Sequence, residues 1–140
     1  MTEVIFHVKT GVSKAWVCRV VEKVLHAEKA RGEVGVLITG DREIRKLNKR
    51  FLKHNTATDV ISFGMQAAKG DPSGCRYLGD IVVSVDTARR LAKEVGILFR
   101  EELARYLIHG ALHLLSYDDR KEKDKKRMHG RQEEILTTIS

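Results

Sequence analysis

Two histidines four residues apart, His109 and His113, open the segment "HGALHLLSYDD", which runs to Asp119. Residues at i and i+4 of an α-helix share a face, about one turn apart. Both imidazoles can therefore aim at one point without distorting the backbone. A lone histidine on an apolar helix is ordinarily a packed core residue. A pair at this spacing, among Leu107, Ile108, Leu112 and Leu114, is the start of a metal site. Zinc in catalytic sites takes three protein ligands and a water. The apolar pattern stops at Leu115, and "SYDD" reads as a turn out of the helix. A chain reversing there can return a side chain six residues past His113 to the metal. Asp119 holds that position, and zinc accepts a carboxylate oxygen. Asp118 could instead bind, orient a ligand, or cap the next helix, and capping is open to Asp119 as well.

The spacing is that of the zinc-protease motif H-E-x-x-H, but the chemistry is not. There the glutamate after the first histidine is the general base. Here Gly110 follows His109. It can do no acid–base work, but it lets another element approach closely. A standard metalloprotease is disfavoured, and metal-assisted hydrolysis stays open.

Several elements must position these residues. "EVIFHV" alternates as a strand. Trp16, Val17, Val20, Val21, Val24 and Leu25 recur at helical spacing, with Ser13 as N-cap. "EVGVLITG" is a second strand ending at Gly40, and Asp41 is expected to cap "REIRKLNKRF", with Ile44, Leu47 and Phe51 as its stripe. "TDVISFG" and "LGDIVVSV" are the third and fourth strands. Between them lies "MQAAKGDPSGCRY", the segment expected to be least ordered. Ser84 or Asp86 can cap "TARRLAKEVG", which Gly96 stops. "FREELARYLIHGALHLL" is one long helix and "DRKEKDKKRMHGRQEEILTTI" a charged closing one. The order β-α-β-α-β-β-α-α-α implies an α+β, or mixed α/β, fold in a single domain over 1–140. Its small four-stranded sheet is mostly parallel, with strands three and four antiparallel, and about five helices cover it.

Composition bounds the function. The 140 residues are 42% hydrophobic and 32% charged, ordinary for one globular domain. No apolar run approaches a membrane span, and the start has neither the order nor the cleavage site of a signal peptide, so a cytoplasmic protein is expected. Cys18 and Cys75 have no CxxC partner and read as free thiols of a reducing compartment. The net charge of +7 favours polyanions, with RNA or DNA ahead of an acidic membrane.

With these residues in view, "HGALHLLSYDD" resembles the H-G-x-L-H-L-x-G-Y-D-H signature of the YbeY family of bacterial endoribonucleases. "LNKRF…TDVISF" (Leu47 to Phe63), "LGDIVVS" (Leu78 to Ser84) and the terminal "QEEIL" agree in order, so the resemblance spans roughly residues 33 to 136. It implies one zinc ion held by three histidines near a helix end. It also implies single-strand-specific RNA cleavage in 16S rRNA 3′-end maturation and ribosome quality control, with rRNA and the ribosome as partners. His109 and His113 match the first two ligands, and Asp119 falls where the pattern has the third histidine. Three departures follow. Phe51-Leu52 stands where similar proteins have a Tyr-Arg pair whose arginine is taken to be functional. Ser116 replaces a glycine at the helix exit, where positive φ is at issue. Ala57 replaces a turn proline, with Thr58-Asp59 retained.

Phosphodiester hydrolysis needs an activated nucleophile and a counter-charge for the phosphorane, and zinc can acidify a water from 15.7 to ~7. Lys49, Arg50, Lys53 and the basic run from Arg120 to Arg131 are the expected contacts to the RNA backbone, although the run also reads as a solvated helix face. Asp118 is the acid assigned to orienting the water. Two rivals stand beside this reading. One is a ribosome- or RNA-associated module that binds a metal with little or no catalysis. The other is a metal-dependent hydrolase of a different substrate, such as a peptide.

Overall fold

Period-two alternation in four short segments builds the sheet of this computed structural model, which describes residues 2–52, 59–64 and 76–139. Strands β1 (Thr2–Phe6), β2 (Glu33–Thr39), β3 (Val60–Gly64) and β4 (Tyr77–Ser84) lie in the order β1-β2-β4-β3. β1 with β2 and β2 with β4 are parallel, while β3 with β4 is antiparallel, as the connection lengths imply. Helices α1 (Lys14–Ala27), α2 (Asp41–Leu52), α3 (Val85–Val95), α4 (Phe99–Leu114) and α5 (Glu122–Leu136) complete the α+β fold. Cys75, Lys53, Ala57 and Thr58 lie outside the described residues, as does most of the segment expected to be least ordered.

Each strand sends alternate residues to two different layers. Val34, Val36 and Ile38 of β2, with Ile81 and Val83 of β4, pack in the main core with α1 and α4. Leu37, Val82 and Ile61 face the other way, onto Ile44 and Leu47 of α2. The whole α1 stripe read from the sequence is buried, from Trp16 to Leu25. Helix α4 is enclosed by the sheet, α1, α3 and α5, and its Leu103, Leu107, Ile108 and Leu112 are fully buried. Each such side chain contributes about 1.5–3 kcal/mol of transfer free energy. The element that carries the histidines is thus among the most firmly held in the molecule.

Ser13 caps α1 by accepting the Trp16 N–H, and Ser84 caps α3 by accepting the Thr87 N–H. Gly96 stops α3 in the left-handed conformation at φ 75°. Asp41 departs from expectation: it is the first residue of α2, and its carboxylate serves the neighbouring helix. That carboxylate accepts the Ser84 hydroxyl at 2.6 Å, the Thr87 hydroxyl at 2.6 Å and the Arg90 guanidinium at 3.1 Å. In return, Asp86 Oδ2 accepts the Asp41 backbone N–H at 2.8 Å. β2 and β4 are adjacent and parallel, so the N-termini of α2 and α3 emerge side by side. Each carboxylate lies at the partial positive end of the other's helix. Gly40 makes room for this exchange, since a Cβ there would stand 2.6 Å from Asp86 Oδ2. Among the described residues no helix is long and apolar enough to cross a membrane. Cys18 is a free thiol, half-buried, donating to the Thr2 carbonyl.

Candidate metal centre

The end of α4 sets the site. Leu115 is the C-cap, and Ser116 follows with φ 76°, a left-handed conformation usually reserved for glycine. The Tyr117 N–H returns to the Leu112 carbonyl at 3.0 Å and the Ser116 N–H to the His113 carbonyl at 3.1 Å. These two bonds are the Schellman pattern, and they turn the chain sharply back over the helix end. Ser116 stands where the resembled pattern has glycine, and the backbone demands of that position are unchanged.

The turn has two consequences for the histidines. It brings the Tyr117 carbonyl to 3.1 Å from His113 Nδ1. It also carries Asp119 back to the pair, with Oδ2 at 3.6 Å from His113 Nε2 and 3.8 Å from His109 Nε2. The other ring, His109, has its Nδ1 at 2.9 Å from Gln132 Oε1 on α5. Both Nδ1 atoms therefore face oxygen acceptors, and the tautomer that satisfies them carries the ring proton on Nδ1. In that tautomer both Nε2 atoms present lone pairs, and they stand 3.1 Å apart. Two lone pairs at that distance are not a hydrogen bond between neutral rings. They repel, and a shared cation relieves the repulsion. Burial, the largest influence on His109, lowers its pKa and favours the neutral form that a metal needs.

The donor set fits a divalent ion. The ligand atoms of His109, His113 and Asp119 all lie within 4.8 Å of one another. Tetrahedral ligands at ~2.0–2.1 Å from zinc are themselves about 3.3 Å apart. The observed separations of 3.1, 3.6 and 3.8 Å bracket that value. The ligand side chains keep 28–42% exposure, so one side of the cluster remains open. That side is a cleft of about 440 Å³ between α4 and β3, bordered by Asp59, Ser62 and Gly64 as well as the three ligands.

Gly110 explains how α4 comes so close to the sheet. A Cβ at this position would lie 2.7 Å from Ile81 Cγ2, 3.1 Å from Val60 Cγ2 and 3.2 Å from Ser62 Oγ. The Ser62 hydroxyl donates to the Gly110 carbonyl at 3.0 Å, pinning β3 to the helix beside the first histidine. The residue that replaces the protease glutamate thus positions the site without taking part in chemistry.

The other residues singled out from the sequence fall elsewhere. Asp118 does not join the cluster: its Oδ1 accepts the Arg120 N–H at 3.0 Å and lies 3.8 Å from Arg120 Nε. It does not cap α5 either, whose N-cap is Lys121 without a side-chain bond. Lys49 and Arg50 are exposed on α2, with the Arg50 guanidinium over the Phe51 ring. Phe51 packs edge-on against Phe63, whereas Ser62 faces α4. Consecutive strand residues point to opposite faces, so α2 and its cations lie across the sheet from the histidines. In the basic run, Arg127 lies over the Tyr117 ring beside the ligand turn, and Arg131 is paired with Glu28 and Glu134.

Sequence reasoning missed Asp59, Ser62 and Gln132 as parts of the site. Gln132 left a signal: it is a polar residue on the buried stripe Met128, Gln132, Ile135 of α5. Asp59 and Ser62 sit within a segment read as a strand and as part of the resemblance, without a role at the site, and their place depends on the tertiary contact with α4.

Comparison with known proteins shows what the chain is similar to. A family model described as Endoribonuclease YbeY matches residues 4–140. Endoribonuclease YbeY of Myxococcus xanthus (strain DK1622) is 48% identical over 105 residues, which are 74% of this chain and 35% of that protein. The protein of the same name from Persephonella marina (strain DSM 14350 / EX-H1) is 38% identical over 131 residues, covering 92% of this chain and 85% of that one. The chain therefore spans about a third of the Myxococcus relative and most of the Persephonella one. The solution structure of TM1509 from Thermotoga maritima superposes with a TM-score of 0.68 at 25% identity, over 99% of this chain and 89% of that one.

Proposed function

Because the chain belongs to the endoribonuclease YbeY family, we propose that it is a metal-dependent endoribonuclease that cleaves single-stranded RNA. Its role would be in 16S rRNA 3′-end maturation and ribosome quality control, at a cytoplasmic location. The observation that carries the metal-dependent part is the convergence of two Nε2 lone pairs and one carboxylate on one point. His109, His113 and Asp119 are the residues to hold the ion, and zinc is the ion their donor atoms suit best. When bound, such an ion supplies Lewis acidity toward a phosphoryl oxygen and a water acidified from 15.7 to ~7.

The chain's own residues supply the rest. Gln132 and the Tyr117 carbonyl hold the imidazoles in the tautomer that leaves Nε2 open. Asp59 is the carboxylate we assign to orienting a nucleophilic water, because it borders the cleft and Asp118 does not. The RNA backbone is held through phosphates by the exposed basic surface: Arg120 and Arg127 flank the ligand turn, and Lys49 and Arg50 extend the surface from α2 on the other side of the sheet. Asp119 adds a negative charge that a third histidine would not, so attraction for phosphate is weaker than in a three-histidine site.

A second reading is kept for one observation: Leu52 ends α2 where similar proteins carry a functional arginine, and an aliphatic side chain cannot bind phosphate. On that reading the chain binds metal and RNA with little catalysis. The deciding experiment is cleavage of a single-stranded RNA by the purified protein. Cleavage lost on chelation and in His113→Ala supports the nuclease. RNA binding without cleavage at any metal supports the module.

A further inference from the structure

The histidine pair continues a column of polar residues along α4. Glu101, Arg105, His109 and His113 recur every four residues and so share one face. Across from them on α5 stand Gln132 and Glu133. The contacts between the two helices form a directed chain. Arg105 Nε reaches both Glu133 oxygens at 3.2 Å, and a second guanidinium nitrogen reaches Oε1 at 3.0 Å. Arg105 is itself held by Glu101 at 2.9 Å. Glu133 Oε2 then accepts the Gln132 amide N–H at 3.3 Å. Gln132 Oε1 in turn accepts from His109 Nδ1 at 2.9 Å.

We infer that Arg105, Glu133 and Gln132 form a positioning relay that fixes the tautomer of His109 and thereby its availability to the metal. The physical reason lies in the symmetry of an amide. The two ends of a glutamine head group have nearly the same shape but opposite hydrogen-bonding character. Turned one way, Gln132 accepts from Nδ1–H and leaves Nε2 as a lone pair. Turned the other way, its NH₂ donates to Nδ1, which forces the proton onto Nε2 and blocks ligation. Glu133 selects between them, because a carboxylate can only accept and so attracts the NH₂ end. Arg105 can only donate, and it keeps Glu133 in place. Gln132 is 7% exposed, so water does not substitute freely for either partner. The relay also uses a neutral group where a carboxylate would serve. With the anionic Asp119 already among the ligands, a neutral partner spares the site a second negative charge.

This inference rests on the proposed metal site, yet its readout does not require metal. The measurement is the ¹H–¹⁵N long-range correlation of the imidazole nitrogens in the metal-free protein, joined to zinc affinity. In the wild type, His109 is expected as the Nδ1–H tautomer. Gln132→Leu keeps the volume and removes the acceptor. It should convert His109 to the Nε2–H form or a mixture and weaken zinc binding by roughly 10–100-fold. Gln132→Glu restores an acceptor and should restore the Nδ1–H tautomer. Glu133→Ala leaves Gln132 in place and should erode the preference, and it carries the test if Gln132→Leu does not fold. An unchanged tautomer in the variant that folds overturns the relay, as does a wild-type His109 protonated at Nε2. If the wild type binds no metal, the metal-site reading fails, while the tautomer comparison still judges the relay.

Discussion

Asp118 and Asp119 are neighbours in the chain, yet their carboxylates serve different ends. Asp119 Oδ2 lies 3.6 Å from His113 Nε2, whereas Asp118 Oδ1 accepts the Arg120 N–H at 3.0 Å and closes the turn. The two acids offer the same functional group one residue apart, and only the direction of the chain after Ser116 distinguishes them.

A first prediction follows from that division. Asp119→Ala should weaken zinc binding by one to two orders of magnitude, while Asp118→Ala should leave it nearly unchanged. Asp119→His should bind at least as well as the wild type, since imidazole is a good zinc ligand. Isothermal titration of the metal-free variants measures all three. Equal losses in Asp118→Ala and Asp119→Ala would remove Asp119 from the ligand set.

Ser116 adopts φ 76° at the C′ position of α4. A non-glycine residue in this region costs roughly 1–2 kcal/mol, partly offset by the greater chain entropy of glycine when unfolded. Ser116→Gly should therefore stabilise the protein by about 1 kcal/mol, raising the urea midpoint without changing the slope. A lower midpoint would mean that the serine side chain contributes more than its backbone strain costs.

The crosswise caps of α2 and α3 predict an acid-sensitive contribution to stability. Burial raises the Asp41 pKa, but hydrogen bonds from Ser84, Thr87 and Arg90, with the Arg90 charge, hold it below 3.8 on balance. A carboxyl depressed on folding stabilises the fold fully above its unfolded value, and the contribution fades as pH falls through the folded value. Urea midpoints of the wild type should thus drop below about pH 4, and Asp41→Asn should flatten that part of the profile. An acid limb unchanged in Asp41→Asn would assign it to other carboxylates.

The parts of this molecule legible in the sequence are those set by local rules. The α1 stripe, the Ser13 cap, the Gly96 stop and the antiparallel pairing of β3 with β4 follow from periodicity, cap chemistry and connection length. His109 and His113 share a face because helix geometry requires it, and the resemblance of the "HGALHLLSYDD" segment pointed to Asp119 over Asp118. The remainder depends on which strands become neighbours. Cap chemistry alone makes Asp41 the cap of its own helix. It serves α3 because β2 and β4 lie side by side, which spacing along the chain does not reveal. Lys49 and Arg50 are expected contacts to the RNA backbone, and the sequence does not tell on which side of the sheet they stand. They lie across the sheet because β3 alternates Ser62 toward α4 and Phe63 toward α2.

The central claim is that His109 and His113 hold one metal ion from a single helical face. Its most direct test is elemental analysis of the untagged protein and of His113→Ala, beside far-ultraviolet circular dichroism. The wild type should carry about one divalent ion per chain, as a site with three protein ligands and an open position does. His113→Ala should lose most of it while keeping its helical signal. Full occupancy in a folded His113→Ala protein would contradict the account.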